Sequence, residues 1–94
     1  MPVLLVRHKV RDYATWKVDF DAQGETRRAN GSRGGRLFRN AANPNETFIL
    51  FEWDGLDRAR LFAQSDDLRE AMARAGVADL PNLWFLEELD RPLV

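Results

Sequence analysis

The chain has 94 residues, of which 45% are hydrophobic and 31% are charged, so it fits one small domain and is too short for two. It has no cysteine, which excludes disulfides, thiolate nucleophiles and cysteine-ligated metal centres. Its single histidine excludes a multi-histidine metal site within one chain. We therefore expect one domain over residues 1–94 with no metal and no other cofactor.

No run of the sequence approaches the roughly 18 to 20 apolar residues that cross a bilayer. The first residues also lack the charged, apolar and small-residue zones of a signal peptide. These observations predict a cytoplasmic protein that does not bind membranes.

Charge is distributed unevenly around a formal net charge of −1. Residues 1–45 hold 9 basic and 4 acidic side chains, whereas residues 46–94 hold 5 and 11. The basic half contains an arginine-rich stretch without acids over residues 26–45, made of Arg27, Arg28, Arg33, Arg36 and Arg39. A sequence pI near 5.8 argues against a nucleic-acid-binding domain, so we expect no nucleic-acid partner.

The first half of the chain predicts a strand, a helix and a hairpin. An aliphatic run predicts a strand over residues 3–10, and Asp12 is placed to cap a helix that ends at Asn30 and Gly31. Apolar residues at helical spacing include Tyr13, Trp16 and Phe20, with Arg27 on the same face. Strands over residues 33–41 and 46–53 then flank a predicted turn over residues 43–45.

The second half predicts two helical pieces and a fourth strand. A helix begins at Leu56 and breaks before Asp66 and Asp67, because these carboxylates would otherwise lie on its apolar face. Ser65 is the predicted cap of the second piece, and Gly76 ends it. The aromatic and aliphatic run over residues 83–89 is the predicted fourth strand.

The resulting order is β-α-β-β-α-β, which predicts an α+β, ferredoxin-like fold with a four-stranded antiparallel sheet and both helical layers on one face. Strand alternation indicates that the other face is covered too. In the third strand Ile49, Phe51 and Trp53 point one way, and Phe48 and Leu50 point the other. Because both faces are apolar, we expect a homodimer in which two such sheets pack face to face as an α/β barrel.

With this order, the chain resembles the dimeric α/β-barrel superfamily, and within it the antibiotic biosynthesis monooxygenase-like small barrel proteins. The resemblance covers nearly the whole chain. It rests on VRHKV-x-DY-x-x-W (residues 6–16), FILFEWD-x-L (residues 48–56), FAQSDDLREAMARAGV (residues 62–77) and FLEEL (residues 85–89).

The resemblance implies a small-molecule pocket between the sheet and the helices of each subunit. Members of the superfamily include cofactor-independent monooxygenases acting on aromatic polyketides, polyketide cyclases, isomerases and haem-degrading enzymes. The haem-degrading members use a histidine on a helix, whereas His8 lies in the first predicted strand, so their site is not carried over.

His8 is the candidate catalytic residue. It shares strand parity with Leu4, Val6 and Val10, so an ionisable ring lies on an apolar face. A free imidazole has a pKa of about 6.5, which suits proton abstraction from a phenol or an enol. The alternative is a histidine that forms a hydrogen bond to a backbone group or a carboxylate and contributes only to packing.

Candidate substrate-binding residues are Trp53, Trp84, Arg39, Tyr13 and Trp16. Indoles and a phenol can stack on a planar ligand and donate hydrogen bonds to it, and a guanidinium can hold a carboxylate or an enolate. The alternatives are core packing, especially for Trp16, and ion pairs of strand arginines with Glu52, Glu87 or Glu88. Trp53, at a strand end, is expected at the rim of a pocket.

Two functions remain open. One is a cofactor-independent monooxygenase- or cyclase-like enzyme acting on a small hydrophobic or aromatic molecule. The other is a non-catalytic dimer that binds a small ligand or a partner protein. A cavity smaller than roughly 300 Å³, the lower end for ligand sites, would favour a packed structural domain.

Overall fold

The computed structural model describes residues 2–74, 76 and 81–94, apart from the side chains of residues 67 and 71. Residues 75 and 77, which belong to the third segment of the resemblance, lie outside this description. The elements are β1 (Pro2–Lys9), α1 (Tyr13–Ala22), α2 (Gly24–Ala29), β2 (Ser32–Asn40), β3 (Asn43–Trp53), α3 (Leu56–Ala63), α4 (Asp66–Arg74) and β4 (Asn82–Glu87).

The four strands form one antiparallel sheet in the order β2-β3-β1-β4. This order places the first and third strands in the centre, as in a ferredoxin-like fold, so the predicted α+β fold class is confirmed. The sheet is open, with β2 and β4 at its edges.

The first helical segment is interrupted at Gln23, whereas the sequence predicted one continuous helix. Asp12 caps α1 as predicted: its carboxylate accepts hydrogen bonds from the backbone N–H of Thr15 at 3.0 Å and from its hydroxyl at 2.7 Å. These two bonds lower the pKa of Asp12. At Gln23 ψ is 3°, and Gly24, which lacks a side chain, begins α2. Apolar spacing did not reveal the break, because one face continues across it.

The second helical segment breaks where the sequence predicted. The Ser65 hydroxyl oxygen accepts a hydrogen bond from the backbone N–H of Leu68 at 3.2 Å, which caps α4. Gly76 has a φ of 77°, a left-handed conformation that suits glycine at the end of a helix.

The hairpin turn lies two residues earlier than predicted. The Asn40 side chain accepts a hydrogen bond from the backbone N–H of Ala42 at 2.8 Å, so Ala41 and Ala42 form the turn. Pro44 lies within β3, beyond Glu46, the last residue of β3 that pairs with β1. Its missing N–H therefore interrupts no bond between these two strands.

The fourth strand ends at Glu87, two residues before the predicted end. Its neighbour among the described strands, β1, begins at Pro2, and Pro2 pairs with Glu87. Residues 88 and 89 therefore extend past the edge of the sheet, and Leu89 is 91% exposed.

The core lies between the sheet and the helices. Its side chains come from both layers: Leu4, Val6, Val10, Trp16, Ile49, Phe51, Trp53, Ala59 and Phe62. The face that carries these strand residues is called the helix side below, and the opposite face is called the outer side. On the helix side, Leu4 and Val6 of β1 pair with Phe51 and Ile49 of β3.

Candidate functional site

A cavity of about 70 Å³ lies between the helix side of the sheet and the helices. The sheet contributes Leu4, Val6, His8, Ile49, Phe51 and Leu83 to its lining. The helices contribute Trp16, Asp19, Phe20, Gln23, Thr26, Arg27, Phe62, Leu68 and Met72. The lining is mostly apolar, with a few polar groups that could orient a ligand.

His8 is buried on the helix side of β1, near the end of the strand. Both of its ring nitrogens are buried, and the residue is 4% exposed. The backbone carbonyl of His8 accepts a hydrogen bond at 3.2 Å from the hydroxyl of Thr47, which is itself fully buried. This bond ties β1 to β3 at the position where His8 enters the cavity lining.

Trp16 holds the His8 ring from the helix layer. The two rings make an edge-to-face contact, with centroids 5.4 Å apart and an interplanar angle of 67°. Trp16 is 3% exposed and stacks on Phe20 at 4.8 Å. The cavity therefore brings together the predicted base and one of the predicted aromatic residues.

The helix break adds four polar residues to the lining that sequence reasoning did not select as site residues. They are Asp19 of α1, Gln23 at the break, and Thr26 and Arg27 of α2. The spacing of three to four residues from Asp19 to Gln23 and on to Thr26 was visible in the sequence. The clearest signal was Arg27, a cation on the same helical face as Trp16 and Phe20.

Arg27 is held by both polar and aromatic contacts. Its Nη1 donates a hydrogen bond to the backbone carbonyl of Phe20 at 2.8 Å. Its guanidinium carbon lies 4.0 Å from the centroid of the Phe20 ring and 5.5 Å from that of Phe51. Burial lowers the pKa of Arg27, and the charge of Asp21 opposes this shift.

Tyr13 and Arg39 lie beside the cavity and form a pair with each other. The guanidinium carbon of Arg39 is 4.9 Å from the centroid of the Tyr13 ring, and this ring is 5.8 Å from that of Trp16. Among the described residues, neither belongs to the lining of the cavity. Tyr13 contacts Trp16, which does line the cavity, and Arg39 contacts Tyr13.

Trp53 and Trp84 lie away from the cavity and on opposite sides of the sheet. Trp53 has no exposed surface, and its indole N–H donates to the backbone carbonyl of Asn30 at 3.1 Å, so it is a core residue and not a rim residue. Trp84 is 44% exposed and pairs with Leu5 on the outer side. The fold does not bring either indole to His8.

Arg7 and Glu52, which belong to the strand arginines and glutamates predicted to form ion pairs, each have another partner. Arg7 donates to Glu46 through its Nε at 2.9 Å and to the Asn82 side chain at 3.1 Å. Glu52 lies 3.5 Å from Arg91, on the outer side of the sheet. Glu52 is therefore remote from the cavity.

Within the described part of the chain, no group of three or more histidine, aspartate or glutamate side chains is placed to hold a metal ion. None of the helices in that part combines the length and the apolar character needed to cross a membrane.

Comparison with known proteins places this geometry in one structural group. No family model and no curated protein matches the sequence. Many solved structures match the fold. A candidate antibiotic biosynthesis monooxygenase from Bordetella bronchiseptica superposes with a TM-score of 0.76 at 20% identity, over 94% of this chain and 96% of that chain.

Two further structures agree with this match. A candidate antibiotic biosynthesis monooxygenase from Caulobacter crescentus gives a TM-score of 0.74 at 18% identity, covering 95% of this chain and 90% of that one. A variant of SnoaB, a cofactor-independent oxygenase from Streptomyces nogalater, gives 0.74 at 18% identity, covering 99% and 97%. The chain therefore has the ferredoxin-like fold of the antibiotic biosynthesis monooxygenase-like proteins, as the resemblance of its sequence implied.

Proposed function

We propose that this protein is a cofactor-independent, monooxygenase-like enzyme that acts on a small aromatic molecule. The observation that carries the proposal is the position of His8, whose ring lines a mostly apolar cavity against Trp16. SnoaB, which shares the fold, is a cofactor-independent oxygenase, and this supports the same class of chemistry here.

In the proposed reaction His8 removes the proton of a phenolic hydroxyl. The phenolate is electron-rich, and its ring carbon opposite the oxygen reacts with O₂ to form a peroxide. Loss of water then gives a quinone. One oxygen atom stays on the ring and the other leaves as water with the two hydrogens lost by the substrate, so no external reductant is needed. A positioned base of this kind contributes about 10²- to 10⁴-fold in rate.

The cavity volume limits the substrate. At about 70 Å³ the cavity is smaller than the roughly 150 Å³ apolar cavity that holds benzene in an engineered protein. A one-ring substrate therefore has to displace a lining side chain, and we propose that this is Phe20, which is half-buried. The same small volume favours the non-catalytic alternative in the form of a packed structural dimer.

Oxygen uptake with a one-ring phenol separates the two functions. We expect 2,6-dimethylphenol to consume one O₂ for each 2,6-dimethylbenzoquinone formed, with no oxygen returned when catalase is added. His8→Gln should lower the rate by about 10²-fold or more, because glutamine cannot act as a base near neutral pH. Arg69→Gln, an exposed change on α4, is the matched control and should keep the rate.

Full activity in folded His8→Gln would contradict the role of His8. Binding of the phenol without any oxygen uptake would support the non-catalytic function.

We also propose that the protein is a homodimer in which the outer sides of two sheets pack together. Apolar side chains of all four strands lie on this side: Val3, Leu5, Phe38, Phe48, Leu50, Trp84 and Leu86. Three of them are large and substantially exposed, namely Phe38 at 43%, Trp84 at 44% and Leu86 at 40%. Such a patch is typical of an interface, and a two-fold axis lets one patch cover another.

Light scattering should therefore give a mass of about twice the 10.8 kDa of one chain. A cytoplasmic location stays a prediction of the sequence.

A further inference from the structure

A second, more open groove of about 490 Å³ adjoins the cavity on the helix side, beneath α2 and along the edge strand β2. The two spaces share four lining residues, Phe20, Arg27, Ile49 and Phe51. Of these four, Phe20 and Arg27 belong to the helix layer, so their stacked side chains separate the cavity from the groove.

The groove is lined by arginines. Arg27, Arg28, Arg33 and Arg36 all contribute to its lining, and they belong to the arginine-rich stretch of the sequence. Gly34 and Gly35 form part of the same lining, and a Cβ added to Gly34 would meet no atom within 4 Å. The groove is thus open where Gly34 lines it, whereas Gly35 packs against the backbone of β3.

Acidic neighbours neutralise only part of this charge. Arg28 lies 3.4 Å from Glu25, and Arg33 lies 3.6 Å from Asp54, which also pairs with Arg58. Within the described part of the chain, Arg27 and Arg36 have no carboxylate within 4.0 Å.

Arg36 is exposed, and its guanidinium rests 4.9 Å from the centroid of the Phe38 ring on the outer side of the sheet, so its charge lies away from the cavity. Arg27 is half-buried, and its charge lies at the junction with the apolar cavity. Of the groove cations, Arg27 is therefore the one placed to meet a ligand in the cavity.

We propose that the cavity and the groove form one binding site for a small aromatic anion, and that Arg27 is the residue that selects for the negative charge. The aromatic ring occupies the cavity between Trp16 and Phe51, and the carboxylate lies in the groove on the Arg27 guanidinium. The ring enters by displacing Phe20 from its stack on Arg27, which joins the two spaces. Together they exceed the roughly 300 Å³ lower end of small-molecule sites.

This inference rests on the site of the proposed function and adds a substrate class to it. The planar guanidinium suits a carboxylate, because it can donate two parallel hydrogen bonds to the two carboxylate oxygens. The half-buried position makes such bonds stronger than those of an exposed arginine. Displacement of the Phe20 ring also exposes the face of the Arg27 guanidinium, while Arg27 keeps its place in α2.

The test compares two probes of equal size. 3-Phenylpropanoate and 3-phenylpropanamide share a ring and a two-carbon chain, and they differ in charge. We expect calorimetric titration at low salt to show that the acid binds at least about tenfold more tightly than the amide. Arg27→Met, which keeps the apolar stem, should remove this preference by weakening the acid alone. Arg27→Lys should restore part of it.

Arg69→Gln is the control for general electrostatics, because Arg69 is exposed on α4 and outside both linings. It should leave both affinities unchanged. Equal affinity for acid and amide, equal weakening of both by Arg27→Met, a loss in Arg69→Gln as large as in Arg27→Met, or no binding of either probe at about 10 mM would overturn the proposal. Circular dichroism confirms that each variant is folded.

The outcome is independent of turnover. Selective binding of the acid by a protein that consumes no oxygen would keep this inference and contradict the enzymatic function. Oxygen uptake without selectivity for the acid would contradict this inference and keep the enzymatic function.

Discussion

The two sides of the sheet carry similar apolar side chains in very different surroundings. On the helix side the chain covers its own strands, so Leu4 is 1% exposed and Trp53 has no exposed surface. On the outer side, Trp84 of β4 and Phe38 of β2 remain more than 40% exposed.

This difference indicates where stability and assembly come from. Burial on the helix side is intramolecular, so it contributes to the folding of each chain at any concentration. Burial on the outer side needs a second molecule, and its contribution depends on concentration. Substitutions on the two sides should therefore separate folding from association.

The largest effect is expected from paired tryptophan substitutions. Trp53→Ala removes a fully buried indole and its hydrogen bond to Asn30, and it should cost about 3–5 kcal/mol in the free energy of unfolding. Trp84→Ala should instead lower the dimer mass in light scattering and reduce stability only where the dimer is populated. Urea denaturation at several protein concentrations measures both effects. A concentration-independent loss in Trp84→Ala as large as that in Trp53→Ala would break the distinction between the sides.

A smaller effect on the helix side is expected from a pair of glycines with positive φ. Gly31 has a φ of 115°, and an added Cβ would lie 2.9 Å from the Trp53 indole nitrogen and 2.4 Å from an Asp54 carboxylate oxygen. Gly34 has a φ of 103°, but an added Cβ there meets open space. Both alanine variants carry the backbone strain, of order 1–2 kcal/mol, and only Gly31→Ala also disturbs the core.

Thermal denaturation should therefore place Gly31→Ala clearly below Gly34→Ala, with Gly34→Ala below the native protein. Equal melting temperatures for the two variants would mean that the packing of Trp53 against Gly31 contributes nothing.

The architecture of the sheet was predictable because it depends on local patterns. Alternation separated Ile49, Phe51 and Trp53 from Phe48 and Leu50, and the structure keeps these two groups on opposite sides. The caps at Asp12 and Ser65 were also predictable, since a short polar side chain directly before a helical pattern satisfies its free N–H groups.

The composition of the cavity was less predictable, for two physical reasons. Alternation gives the relative orientation of side chains within a strand, but not which orientation faces the helices. For this reason Trp84 could not be assigned to the outer side before the pairing with β1 was known. The break at Gln23 lies within one helical repeat that runs from Tyr13 to Arg27, and polar side chains on such a repeat are usually solvated, so Gln23 and Thr26 were not selected as cavity residues.

The smallest effect is expected from a hydrogen-bonded carboxylate at the end of the sheet. Glu46 accepts hydrogen bonds from the side chains of Asn40, at 2.7 Å, and of Arg7, and these bonds lower the pKa of its carboxyl group. A lowered pKa in the folded state means that the stabilisation is present above the ordinary value of 4.5 and is lost as the pH falls below it.

Glu46→Gln should remove this part of the pH dependence. The native protein and the variant should then differ in stability at neutral pH and converge in acid. Denaturation in urea between about pH 3 and pH 7 measures this convergence. The same variant tests whether this end of the sheet holds His8 in place, because Glu46 pairs with Lys9, one residue beyond His8 in β1. If Glu46 helps to hold His8, Glu46→Gln should lower oxygen uptake with 2,6-dimethylphenol in the same pH range. An unchanged rate would show that Thr47 and Trp16 position His8 without Glu46.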